Sequence, residues 1–306
     1  MSGSPKIVSI LLSYNRMDQL LACLASLKRQ SYPFHEIVVV DNASSENPSP
    51  RLREAHPEVH LILLEENRGF AGGMNRGIVW ALEQEADLVL CLNDDVTFQP
   101  GCLEVLAETF SSRPAAGILC PWIYTPSSPP LLYSAGVQVD NWGRTTHLLS
   151  LHSPPEIPPA PYECAAVTGC AIGLTRSFLR EGGGFDERFF MYYEETDLCA
   201  RVLDTGHQIW VVPRAGVVHH TLPEEQEERS YILYLMWRNR LLYVSKRGSK
   251  LIRPLLIVIR EGIPRAASWA LKPKWRNRRK LIRPMLLGIW HAFTGRTGPP
   301  PSSVLG

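Results

Sequence analysis

Asn93, Asp94 and Asp95 end an apolar run, ADLVLCLNDDV over residues 86–96, that reads as a buried β-strand stopping at its polar tip. Parallel strands are apolar on both faces, and ligands collect beyond their carboxyl ends. Two adjacent carboxylates at such an edge repel each other and cost desolvation unless water or a cation compensates. A divalent ion holding a diphosphate would do so; a solvated acidic turn is the competing account, and these residues alone do not choose. A second acidic group, Glu194, Glu195 and Asp197, opens an amphipathic stretch with Leu198, Val202 and Leu203 on its apolar side. Acids in a first helical turn are ordinary, stabilising by a few tenths of a kcal/mol up to about 1, and Asp197 can pair with Arg201 four residues on. Glu194 and Glu195 lie nearer the expected sheet edge. Partly enclosed by Phe189, Phe190, Tyr192 and Tyr193, one of them would have the raised pKa that a general base needs. His219 and His220 close the apolar stretch 209–218. Neighbours on an extended segment point to opposite sides, so at most one faces the acids, where it would serve as a cation ligand.

The elements that must position these groups alternate strand and helix. An apolar strand over 7–12 opens into Ser13, Tyr14, Asn15 and Arg16, and residues 17–30 place Leu20, Leu21, Leu24 and Leu27 at helical spacing. A second strand, 37–40, stops at Asp41, and a third spans 59–64. This is the alternation of a doubly wound sheet, whose post-strand loops form the site. Asp41 stands where an acid can accept hydrogen bonds from a nucleotide's ribose or base, or merely cap a turn. NRGFAGGMNRG, residues 67–77, sets Gly69, Gly72, Gly73 and Gly77 among Asn67, Phe70 and Asn75, ahead of an apolar helical stretch ending near Leu82. Such a loop permits close backbone approach and favours anions at the helix start. It has neither the Walker order nor a dinucleotide fingerprint, so neither ATP nor NAD follows from it. Residues 100–110 read as a helix and 117–120 as a strand. The proline-rich segment 121–163 reads as an excursion over the site, where acceptor selectivity is expected. Small residues surround a strand at 166–176, and three glycines at 182–184 read as a hinge. The helical stretch 231–243 carries Arg238 and Arg240, either of which could meet phosphate or form a salt bridge to the acidic helix.

The whole chain bounds these readings. Its 306 residues can bury a full core, and 45% hydrophobic with 20% charged residues describe a folded protein. The net charge of +2 conceals a polarity: from Lys246 onward there are 14 basic residues and one acid, Glu261, whereas the first 245 residues carry 18 basic and 29 acidic side chains. The tail therefore asks for an anionic partner: membrane lipid, a phosphorylated acceptor or nucleic acid. It alternates apolar and cationic runs, with Trp269, Trp275, Trp290 and Phe293 among the cations, as interfacial membrane helices require. Nucleic acid is the competing anion, but no recognition fold or periodic reading element supports it. Seven cysteines without CxxC spacing argue against a disulfide framework or a structural zinc and favour a reducing compartment. No signal-peptide pattern precedes the first strand, and no 18 apolar residues run uninterrupted.

Taken together, SYNR at 13–16, VVDNAS at 39–44, ENRGFAGGMNRG at 66–77, LNDD at 92–95, TGCAIGLTR at 168–176, FDERFFMYYEETDLCAR at 185–201, HH at 219–220 and RNR at 238–240 resemble glycosyltransferase family 2. The likeness is to its rhamnosyltransferase-like branch and covers residues 6–245. It implies the GT-A fold, a Rossmann-like, mostly parallel α/β sheet flanked by helices. It further implies inverting transfer of a sugar from a UDP-sugar or dTDP-sugar, with Mg2+ or Mn2+. By resemblance, Asp41 reads the uracil or thymine and ribose end; Asn93, Asp94 and Asp95 correspond to the metal motif, with Asp95 the direct ligand. Asn93 replaces that motif's first carboxylate. Gly72, Gly73 and Asn75 match the loop beside the nucleotide sugar, Glu195 matches the general base with Glu194 and Asp197 as neighbours, and His219 or His220 matches a histidine near the diphosphate. The organisation expected is a catalytic domain over 1–245, with a nucleotide-sugar part to about residue 120 and an acceptor part beyond, then a basic amphipathic helical tail over 246–306. The setting expected is cytoplasmic, peripheral on the inner face of the cell membrane, in cell-envelope polysaccharide synthesis on a lipid-linked or glycan acceptor, with homo-oligomerisation left open. The rivals are a nucleotidyltransferase, which needs a dense basic triphosphate site, and a catalytically silent sugar-nucleotide or membrane-binding scaffold.

Overall fold

Alternating apolar strands and amphipathic helices build one twisted central sheet in the computed structural model, which describes residues 4–33, 35–156, 160–221 and 229–305. In chain order the elements are β1 (Ile7–Ser13), α1 (Met17–Lys28), β2 (His35–Asp41), α2 (Ser49–Ala55), β3 (His60–Leu63), α3 (Gly69–Glu83), β4 (Leu88–Asn93), β5 (Val96–Phe98), α4 (Cys102–Ser112), β6 (Ala116–Tyr124), β7 (Leu132–Ser134), β8 (Val137–Val139), β9 (Thr145–His147), β10 (Tyr162–Glu163), β11 (Ala171–Thr175), α5 (Arg176–Gly182), α6 (Glu194–Asp204), β12 (Gln208–His219) and α7 (Ser230–Lys246). The tail follows as α8 (Ile252–Ile257), a π-helical turn (Val258–Gly262), α9 (Ile263–Leu271), a 3-10 segment (Pro273–Leu281) and α10 (Ile282–Thr294).

The sheet runs β10-β12-β6-β11-β4-β1-β2-β3, with β5 on β12 and β7 on β6. It is parallel through β4, β1, β2 and β3, and again between β6 and β12. β11 is antiparallel to both β4 and β6. β1 and β2 end in register, Ser13 opposite Asp41, while Leu12 lies opposite Asn93 on β4. Three polar strand ends therefore meet at one edge, the geometry in which α/β sheets bind ligands. Apolar layers cover both faces: α3, α5 and α6 on one side, with Met74, Phe178 and Leu198 buried, and α1 and α4 on the other, with Leu24 and Leu106 buried.

Several expectations are corrected. The glycine segment is not a loop ahead of a helix; α3 begins inside it at Gly69. A Cβ on Gly73 would meet Leu12 Cδ1 at 2.3 Å, and one on Gly77 would meet Ile10 Cγ2 at 2.3 Å. These glycines let α3 press against β1. The glycines at 182–184 are clamped rather than hinged: Arg201 donates to the Gly182 and Gly184 carbonyls at 2.5 and 2.7 Å. Residues 121–124 belong to the fully buried β6, and Leu132, Ala135 and Val137 of the excursion join the core. The tail is packed, not merely interfacial. Trp269 is buried with Trp237, Ile257 and Met285 in a satellite core on α7, whereas Trp290 and Phe293 are exposed. The acidic stretch 224–228 lies outside the described residues.

Candidate active site

The ends of β1, β4 and β12 bring the acids together with cations. Ser13 Oγ donates to Asp94 Oδ2 at 2.9 Å, and Arg16 Nη1 donates to Asp95 Oδ2 at 3.0 Å. Both carboxylates are buried. Burial, reinforced by the charge of Asp95 and opposed by Ser13 and Arg16, pushes Asp94 up to about 7. Burial would raise Asp95 as well, but His219, the Thr221 hydroxyl and Arg16 outweigh it and hold that carboxyl well below the usual range. The Thr221 hydroxyl donates to Asp95 Oδ2. His219 Nε2 lies 3.3 Å from Asp95 Oδ1. That is an ion-pair distance without hydrogen-bond alignment, and Oδ1 is a buried atom with no hydrogen-bond partner among the described residues. His220 turns outward: its ring pairs with Thr97 at 3.0 Å and its backbone N–H donates to the Asp95 carbonyl. The strand's alternation thus gives His219 alone to the acids.

The β1 and β2 loops interlock beside this edge. Asn15, at φ 55°, accepts from the Ser45 backbone N–H and hydroxyl, and its own N–H donates to Ser44 Oγ. Tyr14 is exposed. Asp41 is buried and caps its turn by accepting from the Ser44 N–H. It also lines a cleft of about 380 Å³ with Ser44, Ser45 and Leu64, within the size range of small-ligand sites. Asn42, which sequence reasoning passed over, ties this corner together by donating to Asn67 Oδ1 and the Gly69 carbonyl and accepting from the Arg68 N–H.

Glu194 and Glu195 open α6 at the end of a strained run. Phe190, Tyr192 and Tyr193 all have φ near +70°, from 67° to 72°. Bulky residues there cost about 1–3 kcal/mol each and persist only where the surroundings impose them. The imposing groups are on α7. Asn239 Nδ2 faces the carbonyls of Phe189, Met191 and Tyr192 at 2.7–2.8 Å, and Arg238 donates to the Phe189 carbonyl at 2.9 Å. Each glutamate has a buried Oε2 without a hydrogen-bond partner among the described residues. Burial raises both carboxyls above their usual range, and the charge of Glu195 raises Glu194 further. Glu195 packs on Gly169, where an added Cβ would stand 3.6 Å from its Cβ and Cγ. The next residue, Cys170, accepts from the Asn93 N–H at 3.0 Å. One short step of backbone thus joins Glu195 to the acidic strand end.

Four expected site residues are engaged elsewhere. Arg238, fully buried, also donates to the Gly298 carbonyl at 2.6 Å and is not at the diphosphate edge. Arg240 binds Glu261 in two hydrogen bonds, at 2.8 and 2.9 Å, rather than the acidic helix. Asn75 donates to the Phe185 carbonyl and Glu187, and accepts from the Phe185 N–H, holding α3 to the 185–187 segment. Asp197 pairs with Arg201 at 3.0 Å and with Lys246 at 2.5 Å, behind the helix start. Gly72 meets Arg68 and Glu187, Gly69 meets Phe190, and Phe70 stacks edge-on against Phe185. The excursion adds two residues that carried no sequence signal. The Tyr133 ring lies between those of His147, 5.1 Å away, and His219, 5.3 Å away.

Known proteins sort this arrangement. Glycosyl transferase family 2 matches residues 9–181, which include most of β1, the Asp41 turn, the acidic strand end and β11. The chain belongs to that family. Along its length this glycosyltransferase is 27% identical over 275 residues to the low-salt glycan biosynthesis hexosyltransferase Agl10 of Haloferax volcanii, covering 87% of this chain and 85% of the relative. It is 26% identical over 259 residues to N-acetylglucosaminyl-diphospho-decaprenol L-rhamnosyltransferase of Mycobacterium tuberculosis, covering 78% and 84%. The fold is similar to that of GalNAc-T7, solved with UDP, GalNAc and Mn2+, at a TM-score of 0.66 and 15% identity over 98% of this chain and 59% of that one. The architecture is thus the GT-A-like α/β fold, and the protein is an enzyme of the glycosyl-transfer class.

Proposed function

We propose that this glycosyltransferase moves a sugar, L-rhamnose being the first candidate, from a UDP-sugar or dTDP-sugar to a hydroxyl of a lipid-linked or polysaccharide acceptor, with inversion. The observation that carries the reading is the placement of Glu195 beside Gly169, one residue from the Cys170 carbonyl that holds the acidic strand end. That backbone step sets a base next to an anion-handling edge. Glu195, its affinity for protons raised by burial, takes the proton from the acceptor hydroxyl as its oxygen attacks the anomeric carbon. Attack opposite the departing diphosphate is a single displacement, so one base suffices and a hydrolase-type carboxylate pair is not required. Asp41 and the cleft beside it fit the nucleoside end.

Among the described residues no three His, Cys, Asp or Glu side chains converge as a ready cation cage. The buried Asp95 Oδ1, which takes no hydrogen bond among the described residues, and the neighbouring His219 nevertheless fit a hard cation whose remaining ligands are substrate oxygens and water. Bound there, Mg2+ or Mn2+ would offset the negative charge of the diphosphate. Arg16, already on Asp95 Oδ2, adds a fixed positive charge at the same edge. The mycobacterial relative's name supports a lipid-linked acceptor and L-rhamnose, and the Mn2+ in the GalNAc-T7 structure supports the cation.

The tail fits an anionic membrane surface. Ile252, Leu255, Ile259 and Ile263 are exposed at helical spacing along α8 to α9, while Ile257 and Trp269 face the protein. Among the described residues no helix is long and apolar enough to cross a membrane, so attachment would be interfacial. A thermal-shift series of nucleoside diphosphate sugars with Mn2+ tests the donor reading. One UDP- or dTDP-sugar is expected to raise Tm above the shift given by its nucleoside diphosphate alone. Equal shifts across all sugars and bases would refute it.

A further inference from the structure

Tyr133 is on β7 and His147 on β9, both within the excursion and outside every motif used above. Tyr133 is half-buried, and its hydroxyl makes no hydrogen bond among the described residues. Its ring is held from two sides: His147 packs edge-on at an interplanar angle of 65°, and His219 is tilted at 57°. The backbone allows little freedom, because Leu132 and Ser134 on either side pair with β6 and are buried. The His219 ring that Tyr133 packs against lies at the acidic edge, its Nε2 3.3 Å from Asp95 Oδ1 and 3.4 Å from Asn93 Nδ2, and the Asn93 N–H donates to the carbonyl of Cys170, the residue after the Gly169 on which Glu195 packs. Tyr133 thus stands near the base at one end of the site and the diphosphate edge at the other. In an in-line displacement the transferred sugar occupies the space between those two ends. A side chain bordering both ends borders the sugar.

We propose that Tyr133 contacts the sugar ring of the donor through its hydroxyl and that His147 is the positioning residue that fixes the Tyr133 ring. This rests on the donor reading above and extends it to the choice of sugar. A phenol hydroxyl both donates and accepts, so it matches a pyranose hydroxyl of either polarity. A site that hydrogen-bonds a substrate hydroxyl discriminates strongly against an analogue lacking it. His147 supports Tyr133 by shape. Its Nδ1 is buried with no hydrogen-bond partner among the described residues, so an apolar ring of similar size would break no bond there.

The test is calorimetry with Mn2+ on the full chain, using the nucleoside diphosphate alone and the best nucleoside diphosphate sugar from the thermal-shift series. For Tyr133→Phe the sugar nucleotide is expected to bind roughly 3- to 10-fold more weakly, the worth of one hydrogen bond, while the nucleoside diphosphate binds as to wild type. His147→Ala is expected to show the same selective loss together with a raised donor KM, and His147→Phe to restore both. Equal weakening of the two ligands, or no change in either, would overturn the assignment of Tyr133. Failure of His147→Phe to restore what His147→Ala loses would overturn the positioning role. Wild-type protein that binds the nucleoside diphosphate but gains nothing from any attached sugar would refute the donor reading itself, a result separable from a normal wild type with an indifferent Tyr133→Phe. Tm of each variant within a few degrees of wild type shows that the comparison is between folded proteins.

Discussion

Replacing Glu195 by Gln, and Glu194 by Gln separately, distinguishes the base from its neighbour. Both side chains are enclosed, both have an unpartnered Oε2, and both carboxyls are raised by burial. Glu195→Gln keeps shape and one acceptor oxygen but removes the proton acceptor. A general base contributes roughly 10²- to 10⁴-fold, so kcat should fall by that factor, about 2.7–5.4 kcal/mol of barrier at 1.36 kcal/mol per tenfold. Donor affinity should be unchanged, since Glu195 is held to Gly169 and the diphosphate edge belongs to Asp95. Glu194→Gln should retain turnover at neutral pH and leave the acid limb of kcat/KM in place, because burial, not the charge of Glu194, raises the Glu195 carboxyl. Stability gives an independent sign. Carboxyls whose folded pKa is raised bind protons more tightly in the folded state, so their contribution is fully present below about 4.5 and is lost as pH rises through the folded values. Glu194→Gln should therefore raise Tm most on the alkaline side and flatten its decline with pH. The assays are steady-state release of nucleoside diphosphate against pH, donor calorimetry and a Tm–pH series. Full turnover by Glu195→Gln with saturating acceptor refutes the base; loss of turnover in Glu194→Gln refutes its role as a neighbour.

Asp95→Asn should abolish most of the Mn2+-dependent increment in donor affinity, roughly 10- to 100-fold by the scale of perturbed metal sites; calorimetry showing the same increment as wild type would refute the cation assignment. Asn239→Ala strips the donor from the Met191 and Tyr192 carbonyls, while Phe189 keeps Arg238, and at about 1–3 kcal/mol per buried unsatisfied group a loss of about 2–6 kcal/mol is expected, read by urea unfolding. It should also lower kcat, because the segment that aims Glu195 relaxes. Deleting the tail would expose the α7 cluster, so the membrane reading is better tested on the surface alone. Ser at Ile252, Leu255, Ile259 and Ile263 together should weaken flotation with anionic vesicles by roughly ten-fold or more and leave Tm and activity on a soluble acceptor near wild type; unchanged flotation would refute it.

The strand ends were legible because each is an apolar run broken by polar residues, and that pattern alone places Ser13, Asp41 and Asn93 at one edge. The choice between His219 and His220 was reduced to one by strand alternation, and the register of β12 against β5 decided which. Glycine was misleading for a physical reason: Gly73 and Gly77 are spaced four apart, as in a helix, and their missing Cβ atoms serve contact with Leu12 and Ile10. Lone arginines were equally ambiguous. Whether Arg238 meets a phosphate or a carbonyl depends on where its helix docks, and docking is non-local. Tyr133 and His147 were illegible because strands of three residues carry no period, and their approach to His219 depends on the pairing of β7 with β6.

Three consecutive residues of α7 set both walls of the site. Arg238 and Asn239 hold the Phe189, Met191 and Tyr192 carbonyls from behind, and so fix where Glu194 and Glu195 begin α6. Arg240 donates to the Trp142 carbonyl at 2.9 Å, and Glu261, which it grips, also accepts from Arg144 at 2.9 Å. Trp142 and Arg144 belong to the turn joining β8 to β9, and β9 ends in His147. A single helix therefore anchors the base on one side and the hairpin that faces Tyr133 on the other. Glu261 is the one acid of the basic tail, and its partners are Arg240 of α7 and Arg144 of the hairpin. That carboxylate neutralises the buried Arg240 guanidinium and the exposed one of Arg144 at the point where tail, hairpin and α7 converge. Glu261 thus ties the tail to both the hairpin and α7.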